Sequence, residues 1–407
     1  FNCDENSEIL NQDNDPKVYL LRNISIYSLT EVSHLFIAIF MHDYTHDYKD
    51  IYYYVEKLNN FHNLGYWRDH KASGWKLSFR KNERSSPFVG LKNLGCTCYI
   101  NSLIQIFFNI TKFRNSILKC FCSDSNNHVL YEVQKIFYSL MHLRSNYYVP
   151  ESFPNNFGGE KLDKSQQMDV DEFFSRILDK IEDKLKSTPN ENLVKYFFQG
   201  KLNDSLKFQE GCTHHRTNVN TFYSIQLQVQ NKKNIYESLD TLTEGELMDG
   251  DNCIFCPQCN KKFPAMKSQS FKVLPRMLMF VLKRFEFNYD TMQKYKINNY
   301  YQFPIDLDMN KYTDEYINNS SEDKEKENKN LYRLKGVVVH MGSSEGGHYY
   351  SFIRDSNSDK WYKFNDTQVD EFDIKELEEE TFGGEEKYTE YDGKEKKMEK
   401  NRNAYLL

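Results

Sequence analysis

The chain has 407 residues, 39% hydrophobic and 28% charged, with a formal net charge of −6. That length allows a large core with subdomains, and the acidic balance without a dense basic block argues against nucleic acid as a partner. The start "FNCDENSEIL" has no apolar signal core, and the longest apolar run near it, residues 35–41, is too short to span a bilayer, so a cytoplasmic or nuclear protein with no membrane partner is expected.

Residues 1–85 hold a predicted helix around 29–40 and read as an N-terminal extension. The Phe1 start suggests excision from a longer chain. From residue 86 the texture changes. "TCYINSLIQIFFNI" puts Ile100, Leu103, Ile104, Phe107 and Phe108 on one helical face. In "QMDVDEFFSRILDKIEDKLK", Val170, Phe173, Phe174, Ile177, Leu178, Ile181 and Leu185 form a second stripe. After about residue 195 the pattern alternates as in strands: "TFYSIQLQV", "MLMFVLKRFEF", "LYRLKGVVVHM", "GHYYSFIRD", "KWYKFND". Helices followed by mostly antiparallel strands define an α+β class. Residues 313–330, charged and Asn-rich, read as a disordered insertion, and "EEKYTEYDGKEKKMEKNRN" as a solvated run before the short apolar end "AYLL".

Nine cysteines, odd in number and closely spaced, do not fit a secreted disulfide scaffold and point to catalytic or metal roles in a reducing compartment. Cys98 begins the first helix, where amide N–H groups and the macrodipole favour a thiolate. Gly95 permits a tight turn before it, and Asn93 is placed to donate an amide to an oxyanion. Cys96 lies on the loop, an inert packing residue or a thiol that oxidises together with Cys98. The base comes from elsewhere in the chain. His348, in "EGGHYYSF", follows two glycines and leads into an aromatic strand, whereas His340 reads as structural. An imidazole needs a third group to fix its tautomer. Asn365 in "WYKFND" suits that role across an antiparallel return, with Asp366 as support or substitute.

The segments "GLKNLGCTCYINS", "QMDVDEFF", "CPQC", "VLKRF", "YRLKGVVVHMG", "EGGHYYSF" and "WYKFND" resemble, in content and order, the boxes of ubiquitin-specific proteases. The chain looks closest to the very large members that embed the catalytic domain in helical-repeat regions. The resemblance implies a papain-like fold of thumb (88–195), fingers (196–270) and palm (271–407). It implies Cys98 as nucleophile, His348 as base, Asn365 as third triad member and Asn93 in the oxyanion hole. It makes ubiquitin and ubiquitinated proteins the partners. Gln167, Asp169 and Glu172 would face the ubiquitin tail, with Met168 where the family has a second glutamine. Gly346, Gly347 and Tyr349 would line the cleft. The acids at 169 and 172 also suit plain helix-dipole complementation.

"CPQC" is a knuckle suited to tetrahedral zinc. Cys256 and Cys259, joined by Cys212 and His214, would form a structural Cys3His site, with His215 in reserve and Cys253 a weaker candidate; a decayed knuckle without metal is the other reading. Cys120 and Cys122 have no matching pair. Catalysis needs no cofactor, and a monomer is assumed. The expected function is hydrolysis of the bond after ubiquitin's terminal glycine. A catalytically weak ubiquitin-binding scaffold and a zinc-ribbon nucleic-acid module are the alternatives.

Overall fold

The predicted helix that begins at Cys98, α1 (Cys98–Asn109), is buried over its whole length, not only along its apolar stripe. Its second face is polar and mostly paired: Gln105 Nε2 donates to the Val89 carbonyl at 2.8 Å and Asn109 Nδ2 to the Gln105 carbonyl at 2.9 Å, while Asn101 Oδ1 is buried without a partner among the described residues. Buried amides are tolerated because each finds an acceptor. The helix can therefore sit between other helices and a sheet. In the computed structural model, residues 86–120, 128–143, 145–209, 211–318, 330–389 and 395–407 are described. The predicted helix at 29–40, the rest of the N-terminal extension, Cys3 and Cys122 lie outside them.

Around α1 pack α2 (Thr111–Lys119), α3 (Val129–His142), α4 (Val170–Leu185) and α5 (Leu193–Phe198). All seven stripe residues of α4 are buried. Each contributes about 1.5–3 kcal/mol relative to exposure, which fixes the helix against α1 more firmly than its propensity would. Tyr99 of α1 meets Phe173 of α4 edge to face, at 5.2 Å between ring centroids.

Next come β1 (Gly200–Phe208), β2 (His215–Phe222), β3 (Ile225–Gln228), α6 (Ile235–Glu244), β4 (Glu246–Met248), β5 (Ile254–Cys256), β6 (Lys261–Phe263), β7 (Ala265–Val273) and β8 (Phe280–Lys283). The order β2-β1-β7-β4 makes a four-stranded sheet, and β5 and β6 form a separate hairpin. The predicted fingers, 196–270, are thus interrupted. Strand β3 leaves them and pairs in parallel with β8, Ile225 opposite Phe280. The cause is its pattern: Ile225 and Leu227 are buried while Gln226 and Gln228 are exposed, so its apolar face needs a larger core.

The chain continues through β9 (Phe285–Asn288), β10 (Gln293–Lys296), α7 (Asp314–Asn318), β11 (Gly336–Gly342), β12 (Gly347–Arg354), β13 (Trp361–Asn365), β14 (Gln368–Phe372), α8 (Leu377–Thr381), β15 (Glu385–Thr389), β16 (Glu395–Glu399) and β17 (Arg402–Leu406). The main sheet has the order β14-β13-β12-β11-β17-β8-β3. The apolar end of the chain is therefore a central strand, between β11 and β8. Arg284, 0% exposed, pins it: Nε donates to the Ala404 carbonyl at 2.6 Å, and Nη1 to the carbonyls of Ile297 and Asn299 at 2.9 and 3.1 Å.

Two loop expectations change. The insertion begins as α7, because Asp314 accepts from Asn203 Nδ2 at 3.0 Å and Ser270 Oγ at 2.5 Å, tying residues 313–318 to β1 and β7; residues 319–329 lie outside the described residues. The charged tail contains a hairpin, β15 with β16. Among the described residues no helix is long and apolar enough to cross a membrane.

Candidate active site

The loop before α1 is folded around one side chain. Asn93 Oδ1 accepts from the N–H groups of Gly95 and Thr97, at 3.2 and 3.0 Å, and from the Thr97 hydroxyl at 3.1 Å. Gly95 has φ +131°, and a Cβ there would collide with the Lys164 carbonyl, so only glycine fits. This turn delivers Cys98 as the first helical residue, 2% exposed.

Opposite it stand β12 and β13, which pair antiparallel and bring residues 348 and 365 together. His348 Nε2 lies 2.6 Å from Asn365 Oδ1 and 3.9 Å from Asp366 Oδ2. With Nε2 engaged by Asn365, Nδ1 is the nitrogen left for a thiol. The Cys98 sulfur pushes His348 up to about 9, Asn365 and Asp366 act in the same direction, and burial opposes them.

Asp366, at φ 51° in the turn after β13, is more than a substitute for its neighbour. Its Oδ2 accepts from Asn93 Nδ2 at 3.0 Å and its Oδ1 from Asn101 Nδ2 at 2.8 Å. One N–H of the Asn93 amide is thereby fixed and the second is left over. Asn101 was missed in the sequence, although a polar residue three positions after Cys98 in an apolar stripe was a signal.

The sulfur of Cys98 has two N–H donors, Gln167 Nε2 at 3.0 Å and the Tyr349 backbone at 3.4 Å. Gln167 also donates to the Gly347 carbonyl at 2.9 Å. Gly346 and Gly347 are exposed, and a Cβ on Gly347 would collide with the Met341 carbonyl and His340 Nε2. Tyr349 does not line the cleft with its side chain. Strand alternation turns it inward, 3% exposed, with its ring centroid 4.8 Å from that of His340. His340 is structural, as expected: burial, then Lys296 and His348, hold it down to about 3, and it stays neutral.

The two predicted acids are unequal. Asp169 is not on the helix but caps it, accepting from the Asp171 N–H at 2.8 Å and from the Tyr405 hydroxyl at 2.6 Å. Glu172 is exposed and 3.5 Å from Arg176. Met168 packs against the core and its sulfur meets Arg176 Nη1 at 3.6 Å. Tyr405 lies far away in sequence and gave no local signal.

At the far end of the four-stranded sheet, Cys212, His214, Cys256 and Cys259 converge. His214 Nδ1 lies 3.4, 3.5 and 3.3 Å from the three sulfurs, and Cys212 Sγ lies 3.6 and 3.8 Å from those of Cys256 and Cys259. The four donors can hold a metal ion. His215 points elsewhere along exposed β2, and Cys253 stays outside the group.

A helical half that presents a cysteine at a helix N-terminus, packed against an antiparallel half that presents histidine and asparagine, is the α+β architecture of papain-like thiol hydrolases. Residues 89–407 match the family model described as "Ubiquitin carboxyl-terminal hydrolase", and the chain belongs to that family. It is similar to human "Ubiquitin carboxyl-terminal hydrolase 34", 39% identical over 87% of this chain and 11% of that protein. It also resembles Arabidopsis thaliana "Ubiquitin C-terminal hydrolase 13", 34% identical over 80% of this chain and 29% of that one, and human "Ubiquitin carboxyl-terminal hydrolase 9Y", 32% identical over 79% and 16%. The chain spans about a tenth of the length of the first of these relatives.

Proposed function

We propose that this chain is a thiol-dependent deubiquitinase that hydrolyses the isopeptide or peptide bond after the C-terminal glycine of ubiquitin. The observation that carries the reading is the His348–Asn365 contact of 2.6 Å facing Cys98 across the two halves. Cys98 gives its proton to His348 and its sulfur attacks the glycine carbonyl. The remaining Asn93 N–H holds the oxyanion, kept in aim by Asp366. His348 then passes its proton to the leaving amine. Water, deprotonated by His348, attacks the thioester and releases ubiquitin and the Cys98 thiol.

Gln167 supports the resting sulfur and the Gly347 carbonyl until the substrate tail arrives. Glu172, the open acid, meets an arginine of that tail, and Asp169 lines the floor through its bond to Tyr405. Zinc is our choice for the metal. Bonds of about 2.3 Å to sulfur and 2.0–2.1 Å to nitrogen give tetrahedral edges of about 3.8 and 3.5 Å; five of the six donor separations here run from 3.3 to 3.8 Å, and all four donors lie within 4.8 Å of one another. Its role is structural.

The test is ubiquitin carrying a thiol-reactive C-terminal warhead, with peptide mapping of the wild type, Cys98→Ala and Cys96→Ala. One adduct on Cys98, lost only in Cys98→Ala, is expected. Ubiquitin binding without any adduct would replace the enzyme by a scaffold, and an adduct on Cys96 would move the nucleophile.

A further inference from the structure

Cys96 has no part in the reaction above, yet it stands two residues from the nucleophile. Its N–H donates to the Lys164 carbonyl at 2.8 Å, and its thiol to the Ser165 carbonyl at 3.5 Å. The Cys98 sulfur receives Gln167 Nε2, two residues further along that loop, at 3.0 Å. Both sulfurs therefore face one short segment, 165–167.

The backbone between them is already bent. Thr97 has φ −101° and ψ 13°. A turn of this kind holds the flanking Cα atoms about 5.5 Å apart, within the range that a disulfide bridges. An extended residue at 97 would spread them further. Cys96 is half-exposed and Cys98 is buried.

We propose that Cys96 is a resolving thiol that protects Cys98 from hydroperoxides by closing a reversible Cys96–Cys98 disulfide. The proposal rests on the reading of Cys98 as the reactive sulfur. The Cys98 thiolate attacks one oxygen of hydrogen peroxide, the O–O bond breaks, and hydroxide leaves, giving a sulfenic acid. The Cys96 thiolate attacks that sulfur and expels the second hydroxide. The peroxide is the two-electron oxidant, and the two thiol protons end in two waters. Closure blocks the nucleophile and stops further oxidation.

Reopening has a built-in direction. An incoming thiolate reaches the half-exposed Cys96 sulfur more easily than the buried one. Attack there makes Cys98 the leaving thiolate, which the N–H groups of Gln167 and Tyr349 receive. The enzyme is thus returned with its nucleophile free.

The experiment treats wild type and Cys96→Ser with hydrogen peroxide, alone and with dimedone. Each sample is mapped without reduction, then reduced with dithiothreitol and labelled with the ubiquitin warhead. In the wild type, the peptide spanning residues 93–112 should lose two hydrogens, take little dimedone and regain full labelling. Cys96→Ser should label normally beforehand, take dimedone on Cys98, and recover on the order of tenfold less labelling after excess peroxide, as sulfinic acid accumulates. Equal dimedone capture in both proteins, or a disulfide between chains, would overturn the proposal. Labelling before peroxide reads the Cys98 assignment separately. If it succeeds on Cys98 while no internal disulfide forms, the switch fails and the catalytic reading stands. If the disulfide forms but Cys98 never takes the warhead, the catalytic reading fails.

Discussion

If the zinc proposed above occupies the Cys212, His214, Cys256 and Cys259 cluster, removing it should unfold one corner of the molecule and little else. Among the described residues, the buried cluster at that corner is Phe208, Cys212, Cys256 and Ala265, so two of its four members are proposed ligands. Burying Phe208 and Ala265, with the partly buried Leu206, Ile254 and Phe263 packed against them, supplies about 6 kcal/mol. Ordering the roughly 15 residues from 249 to 263 costs about 15 kcal/mol at ~1 kcal/mol each. The balance of about 9 kcal/mol is close to the lower end of the about 10–16 kcal/mol that structural zinc contributes in small domains. Hydrogen exchange with and without a strong chelator tests this, alongside metal content and the absorbance of the cobalt-substituted protein. Protection should vanish at residues 211–214 and 249–263 and persist in α1, α4 and the main sheet. Cys256→Ser should do the same and lose its bound metal. Unchanged protection of the β5–β6 hairpin in metal-free protein would refute the reasoning.

Asn365→Ala removes the 2.6 Å partner of His348 and should lower kcat by about 10–100-fold with a smaller effect on KM, read with a fluorogenic ubiquitin C-terminal amide; an unchanged kcat would transfer the orienting role to Asp366. Asp366→Ala removes one acceptor from the half-buried Asn93 amide and one from Asn101, which keeps the Leu91 carbonyl at 3.3 Å, and should cost about 1–3 kcal/mol in all in urea unfolding as well as lowering kcat. His348 is held up at about 9 against an ordinary value near 6.5, so its charged form stabilises the fold fully below pH ~6.5, and that stability is lost as pH rises through about 9. The ring is 27% exposed, so screening leaves about 1–2 kcal/mol of a nominal ~3, and the stability gap between wild type and His348→Gln should close by that amount between pH 6 and 9.5; a constant gap would contradict the assignment. Arg284→Met leaves two buried carbonyls and the part-buried one of Asn299 without their donor and should destabilise by about 2–4 kcal/mol, checked by chemical denaturation, with a loss under ~0.5 kcal/mol counting against the pin.

The local sequence by itself determined the helices and the reactive groups. The periods of 3.6 at residues 100–108 and 170–185 are properties of single segments, and Gly95 marks a turn ahead of Cys98, although the collision that requires glycine there comes from the distant Lys164 carbonyl. The pairing of His348 with Asn365 was also legible, because one antiparallel return relates them. Of the four candidate metal donors, Cys256 and Cys259 were legible through knuckle spacing and Cys212 and His214 only through the family resemblance, and nothing local said that the fold would bring them within 4.8 Å of one another.

Only the tertiary structure decided how the polar groups divide their work. Asp366, 3.9 Å from His348, gives its hydrogen bonds to two amides 265 and 273 residues distant, and Asp169 spends its carboxylate on a helix cap and on Tyr405, 236 residues away. Tyr349 faces inward because strand alternation is referred to a sheet whose central strand is the last in the chain. A half-buried carboxylate takes whichever donors the folded chain delivers, and those donors come from segments whose separation no local pattern encodes.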